Sequence, residues 1–164
     1  MDHRVRKIGV FYDGSYVFQV RNYYKRVHDR HGILDFNGLH TFVKQEIARI
    51  EGLSEQELSM CKIVDAHFFQ GRRSAYHSDA EALRGERAFD EMLSRMGVTT
   101  HYLPLKKRGS FEMEKGIDVW LALEALEQSY YKHYDFVVLL AGDGDYLPLL
   151  RKLNAFGIRV MLLF

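Results

Sequence analysis

The chain has 164 residues, 47% of them apolar, and 23 Lys and Arg against 22 Asp and Glu for a net charge of +1. That is enough to bury a core, and it excludes both a disordered chain and a uniformly basic nucleic-acid coat while allowing a local basic patch beside a local acidic site. Cys61 is the only cysteine, which excludes a disulfide framework or a cysteine-built zinc site and fits a reducing cytoplasm; no stretch approaches the roughly 20 apolar residues of a membrane span, and the start does not read as a secretion signal.

In chain order, Ile8–Tyr12 reads as a buried strand ending at Asp13-Gly14-Ser15. Residues 16–29 read as a helix rich in Tyr and Arg. Asp35 or Asn37 is placed to cap a second helix running to about Ile50. Lys62–Phe69 reads as a second strand, Ser78 as the cap of a helix over 79–96 that Gly97 ends, and Val98–Leu103 as a third strand. Pro104–Lys115 reads as a basic loop. Residues 116–131 read as a helix and Phe136–Ala141 as a fourth strand. Asp145 is placed to cap the helix that follows, Pro148 being tolerated in a first turn, and Gly157 ends that helix before a fifth strand, Ile158–Phe164. The alternation predicts an α/β fold with a mostly parallel sheet covered on both faces. No linker or repeat interrupts it, so residues 1–164 read as a single domain. Because the sequence stops inside a strand, a further C-terminal helix is expected.

The chemistry is concentrated in Asp135–Leu150, where an apolar run ends in Asp143-Gly144-Asp145. Carboxylates just beyond the carboxyl end of a buried strand lie where open α/β sheets place their ligands. Two neighbouring negative charges favour a hard cation such as Mg²⁺. Asp13 follows the first strand, and Asp118 lies in the first turn of the helix before the fourth. In a parallel sheet all these positions fall on one edge. Each acid also has a local explanation: a turn at Asp13, a cap at Asp145, a dipole partner at Asp118. Together, several carboxylates beside apolar sequence point to a bound cation or proton, because desolvating them unpaired is costly.

Three segments, Phe11-Tyr12-Asp13-Gly14-Ser15-Tyr16, Lys115-Gly116-Ile117-Asp118-Val119-Trp120-Leu121-Ala122-Leu123-Glu124 and Leu140–Leu150, followed by Gly157-Ile158-Arg159-Val160, occur in the order of the NYN domain family. The chain resembles that family, and within it the LabA-like branch of the PIN-like nucleases. The resemblance implies a PIN-like three-layer α/β/α domain with about five strands in its central sheet. It implies Mg²⁺ or Mn²⁺ held by Asp13, Asp118, Asp143 and Asp145, supporting phosphodiester hydrolysis, typically of RNA. Glu124 falls where the family more usually has Asp. Tyr16 falls where many members have Asn, and it cannot supply a carboxamide.

For binding, Arg21-Asn22-Tyr23-Tyr24-Lys25-Arg26 mixes cations with aromatics, the mixture that holds single-stranded nucleic acid, or else forms a solvated helix face. Arg21 and Lys25 are candidate contacts to substrate, and Lys115 is the best single candidate for a phosphate contact. Ser15 is placed to bind a phosphate oxygen or to cap the next helix, with the cap slightly favoured. Lys106-Lys107-Arg108 and Arg72-Arg73 read as surface charge or as loop contacts. His67 and His101 read as packed or hydrogen-bonded strand residues. The expected function is a metal-dependent ribonuclease in the cytoplasm, with no membrane partner and homo-oligomerisation left open. The alternatives are a module that binds RNA or protein without cutting, favoured by Tyr16, and a phosphatase of small phosphoesters, disfavoured by the cationic helix.

Overall fold

The computed structural model describes residues 4–29, 31–74, 78–108 and 111–164, with 107, 108 and 111 described by their backbone alone. The elements are β1 (Arg6–Asp13), α1 (Gly14–Arg26), α2 (Phe36–Ile50), β2 (Cys61–Arg72), α3 (Ala80–Arg95), β3 (Val98–Pro104), β4 (Lys106–Arg108), β5 (Phe111–Met113), α4 (Ile117–Lys132), β6 (Phe136–Leu140), α5 (Leu147–Ala155) and β7 (Arg159–Leu163). Short 3-10 turns, Glu55–Met60 and Gly144–Tyr146, lead into β2 and α5.

Five strands pair in parallel in the order β3-β2-β1-β6-β7. Central strand β1 is apolar on both faces, and its alternation assigns the layers. Ile8, Val10 and Tyr12 pack with Val17, Phe36, Val43, Ile47 and Leu93, so α1, α2 and α3 cover one face. Phe11 packs with Ile117, Leu121, Ala125, Leu149 and Leu153, so α4 and α5 cover the other. The result is the α/β/α arrangement expected from the sequence. By the same alternation Asp13 belongs to the α4/α5 side.

The chain leaves β1 toward β2 on one side, and later returns through α4 to place β6 on the other side of β1. The strand order therefore reverses between β1 and β6. Such a reversal opens a crevice at the carboxyl ends of the two strands, because their following helices go to opposite faces.

Three local readings are corrected. Pro104–Lys115 is not simply a loop: it carries the antiparallel hairpin β4–β5. Strands of three residues are too short to show an alternating pattern. Asp79, not Ser78, caps α3, accepting from Ala82 N at 2.7 Å, while the Ser78 hydroxyl turns back to Ser74 O at 3.3 Å. Asp143, not Asp145, caps the turn after β6, accepting from Asp145 N at 2.9 Å; α5 begins two residues beyond Asp145, at Leu147, with no side-chain cap.

Two packing features lead to measurements. A Cβ on Gly9 would come within 2.5 Å of the Tyr134 ring, whose hydroxyl is tied to Asp65 Oδ2 at 2.8 Å. Gly9→Ala should therefore destabilise the fold by about 1–3 kcal/mol, the usual range for overpacking, in urea unfolding. His67 stacks on Phe11 and is 5% exposed, and its Nδ1 lies 3.0 Å from His101 Nε2. Its Nε2 has no partner among the described residues. Burial first, then the neighbouring His101, holds the His67 imidazole below its ordinary 6.5. A depressed folded value means stability present above the unfolded value and lost as pH falls below it. Unfolding free energy should drop from pH 6.5 downward, by at most about 1.4 kcal/mol per pH unit for His67, and His67→Phe should remove that share. Trp120, the single tryptophan, reports the transition, since it packs edge-on against His101 at 5.1 Å.

Candidate functional site

A cleft of about 460 Å³ lies at the carboxyl edge of the sheet. Asp13, Tyr16, Lys115, Asp118, Gly142 and Asp143 are among the residues that line it, with Ser15, Gln19 and Glu114. These come from the ends of β1 and β6, the first turns of α1 and α4, and the segment after the hairpin. The cleft therefore sits at the reversal between β1 and β6.

Asp13 ends β1 and caps α1. Its Oδ1 accepts from Tyr16 N at 3.2 Å, and its Oδ2 accepts from the Tyr146 hydroxyl at 3.0 Å. Burial pushes the Asp13 carboxyl above the ordinary carboxylate value; the two hydrogen bonds oppose that shift and the negative Glu114 adds to it. Tyr146 is itself buried, and its hydroxyl is pushed upward by burial and then by the negative charges of Asp13, Asp118 and Asp143. One phenol thus feels three carboxylates from three segments of chain.

Of the acids expected from the sequence, Asp13, Asp118 and Asp143 line the cleft and Asp145 does not. Asp145 is exposed, and its backbone amide serves Asp143. Glu124 is set back along α4. It accepts from Gln128 at 2.8 Å, and its charge acts on His67 and His101. Lys115 lines the cleft with no ion-pair partner among the described residues. Ser15 also lines it, but Asp13 caps α1, and the Ser15 hydroxyl donates to Glu114. Arg21 and Lys25 lie outside the cleft lining. The Arg21 guanidinium stacks on Phe18 and Phe89, 5.1 Å from each ring centroid. Arg72 is engaged by Asp90 and Glu86, and Arg73 by Glu112. The side chains of Lys107 and Arg108 lie outside the described residues.

Tyr16 packs its ring against the backbone of Gly142, so closely that a Cβ at Gly142 would overlap it. Tyr146, Glu114 and Gln19 are lining or supporting groups that no motif in the sequence singles out. Tyr146 follows the two acids directly, and its burial was the missing information. Glu114 precedes Lys115 in the chain, and nothing local distinguishes it from a surface acid.

Carboxylate oxygens are hard ligands that suit Mg²⁺ or Mn²⁺ and not softer metals. Among the described residues, no group of three or more His, Cys, Asp or Glu is assembled closely enough to hold a metal ion. Mg²⁺ usually keeps several waters and needs only one or two protein carboxylates. The donor set therefore fits a largely hydrated divalent cation, and does not fit a dehydrated all-protein cage.

No helix among the described residues is long and apolar enough to cross a membrane. No curated protein sequence matches the chain significantly. Among solved structures, a protein of unknown function from Vibrio parahaemolyticus is similar, with a TM-score of 0.63 and 21% identity over 99% of this chain and 82% of that one. That likeness supports the three-layer fold alone. The model of the NYN domain matches residues 7–164. NYN domains fall within the PIN-like nuclease superfamily, whose members typically use divalent metals. With a family match along nearly its whole length and the cleft at the expected sheet edge, this chain belongs to the NYN domain family.

Proposed function

We infer that this protein is a metal-dependent ribonuclease that hydrolyses phosphodiester bonds of single-stranded RNA. The observation that carries the reading is the arrival of Asp13, Asp118 and Asp143 in one cleft together with Lys115. NYN domains are generally nucleases, which supports the reaction class. The order of the motifs favours the LabA-like branch, and the cytoplasm as the compartment suits the buried, unpaired Cys61.

The residues divide the work as follows. Asp13 is oriented by two donors and presents its carboxyl oxygens at the cleft floor. Asp118 and Asp143 supply further oxygens from the walls. A bound Mg²⁺ or Mn²⁺ would polarise a phosphate oxygen and lower the pKa of coordinated water. Lys115 offers a positive charge to a non-bridging phosphate oxygen. Asp145 supports Asp143 through its amide and offers an outer-sphere acceptor for water. Arg21 and Lys25 extend the cationic path along α1, where exposed Tyr23 and Tyr24 offer faces for bases.

One observation favours the binding-module alternative. Tyr16 occupies the floor beside Gly142, where an Asn in the same position would leave space and a polar group.

With labelled single-stranded RNA and Mn²⁺, Asp13→Asn and Asp143→Asn should each lower kcat/KM by about 100-fold or more, near 2.7 kcal/mol of transition-state stabilisation. RNA binding in EDTA should survive both changes. Wild-type binding without cleavage, alongside cleavage by Tyr16→Asn, would establish the module reading instead; turnover confined to a small phosphoester would sink both. A thermal-shift series tests the cation separately. Mn²⁺ at 100 times its Kd should stabilise the wild type by about 2.7 kcal/mol. Asp13→Asn should lose that gain, yet match or exceed the metal-free wild type, because it removes a buried carboxylate that burial and Glu114 disfavour.

A further inference from the structure

Glu114 lies between the hairpin and α4, immediately before Lys115 and four residues before Asp118. Its Oε1 accepts from the Gly71 amide at 2.6 Å, and its Oε2 accepts from the Ser15 hydroxyl. Each oxygen is thus engaged by a different element, one at the end of β2 and one in the first turn of α1. Glycines make these approaches possible. A Cβ on Gly71 would lie 2.5 Å from Glu114 Cγ and 2.5 Å from Leu105 Cδ2. A Cβ on Gly14 would lie 2.5 Å from Phe69 O, so the start of α1 sits directly on β2. The other arm of the hairpin is fixed at the same place, where Leu105 N donates to Arg72 O at 3.0 Å. The segment carrying Lys115 and Asp118 is therefore moored to the segment carrying Asp13 through one carboxylate.

We propose that Glu114 is a positioning residue for the cleft, a latch that fixes the Lys115–Asp118 wall relative to the Asp13 floor. It rests on the nuclease reading above. Its carboxylate acts by holding α1, β2 and the α4 lead-in together, and not as a cation ligand or a proton donor. The charge is not what the latch needs. A carboxamide can accept from Gly71 through Oε1 and donate through Nε2 to the Ser15 oxygen.

Glu114→Ala and Glu114→Gln distinguish this role from plain stability or charge. In Mn²⁺-dependent cleavage of single-stranded RNA, Glu114→Ala should lower kcat at least tenfold with KM changed less than threefold. Glu114→Gln should recover kcat to within threefold of wild type. A second readout needs no turnover. Paramagnetic broadening by Mn²⁺ of the amides of Gly116, Ile117 and Asp118 should weaken in Glu114→Ala and persist in Glu114→Gln. Wild-type kcat or unchanged broadening in the Ala variant overturns the latch, as does a Gln variant as impaired as the Ala variant. If the wild type cuts no RNA, the nuclease reading fails by itself, and the broadening still decides the latch. If Glu114→Ala does not fold, Ser15→Ala removes one of the two moorings; a kcat and broadening equal to wild type would then overturn the proposal, and a loss in both would support it.

Discussion

Parallel pairing of β1 with β2 on one side and with β6 on the other sets Asp13 level with Phe69, and Tyr12 level with Leu140. In such a sheet every strand delivers its last residue to one edge. Because the helices after β1 and β6 leave toward opposite faces, the backbone parts at that edge and a crevice opens between them. Asp13 and Asp143 are thus neighbours through topology, though 130 residues separate them in the chain. The apolar, doubly buried β1 fixes the floor, and α4, packed through Ile117, Leu121 and Ala125, carries Asp118 to the rim.

The electrostatics of the crevice follow from that convergence. Asp13 gives up solvent for two hydrogen bonds, and these only partly compensate its burial. Tyr146 contributes the more telling of the two, because its own hydroxyl is disfavoured from ionising by the very carboxylates it serves. It therefore remains a donor. Glu114 adds negative charge but is engaged by Ser15 and Gly71, and Lys115 brings the cation of the cleft. A cleft with several carboxylates and one lysine offers hard oxygen donors that suit a largely hydrated divalent cation.

Much of this was legible in the residues. Five strands and five helices follow from apolar periodicity, and the Gly157 stop follows from local chemistry; of the two caps offered, Asp35 and Asn37, the structure selects Asp35, which accepts from the Asn37 amide. The errors have local causes as well. At Asp143-Gly144-Asp145 two equivalent caps compete within three residues, and the short 3-10 turn that begins at Gly144 gives the role to Asp143. At Ser78-Asp79 two cap-forming residues are adjacent, and the helix start at Ala80 gives the role to Asp79. The hairpin is invisible because three residues carry no period.

By itself the sequence determined the α/β class, the motif order of the NYN family and the acids that could meet at one edge. These depend on periodicity and on residue type, and both are local properties. Tertiary structure alone decided which acids line the cleft, with Asp118 joining Asp13 and Asp143 while Asp145 stays outside. It also decided that Tyr146 orients Asp13, that Tyr16 rests on Gly142, and that Glu114 ties three elements together. Those relations depend on side chains distant in sequence coming within hydrogen-bond or van der Waals range. Strand order and helix packing set such distances, and no local pattern encodes them.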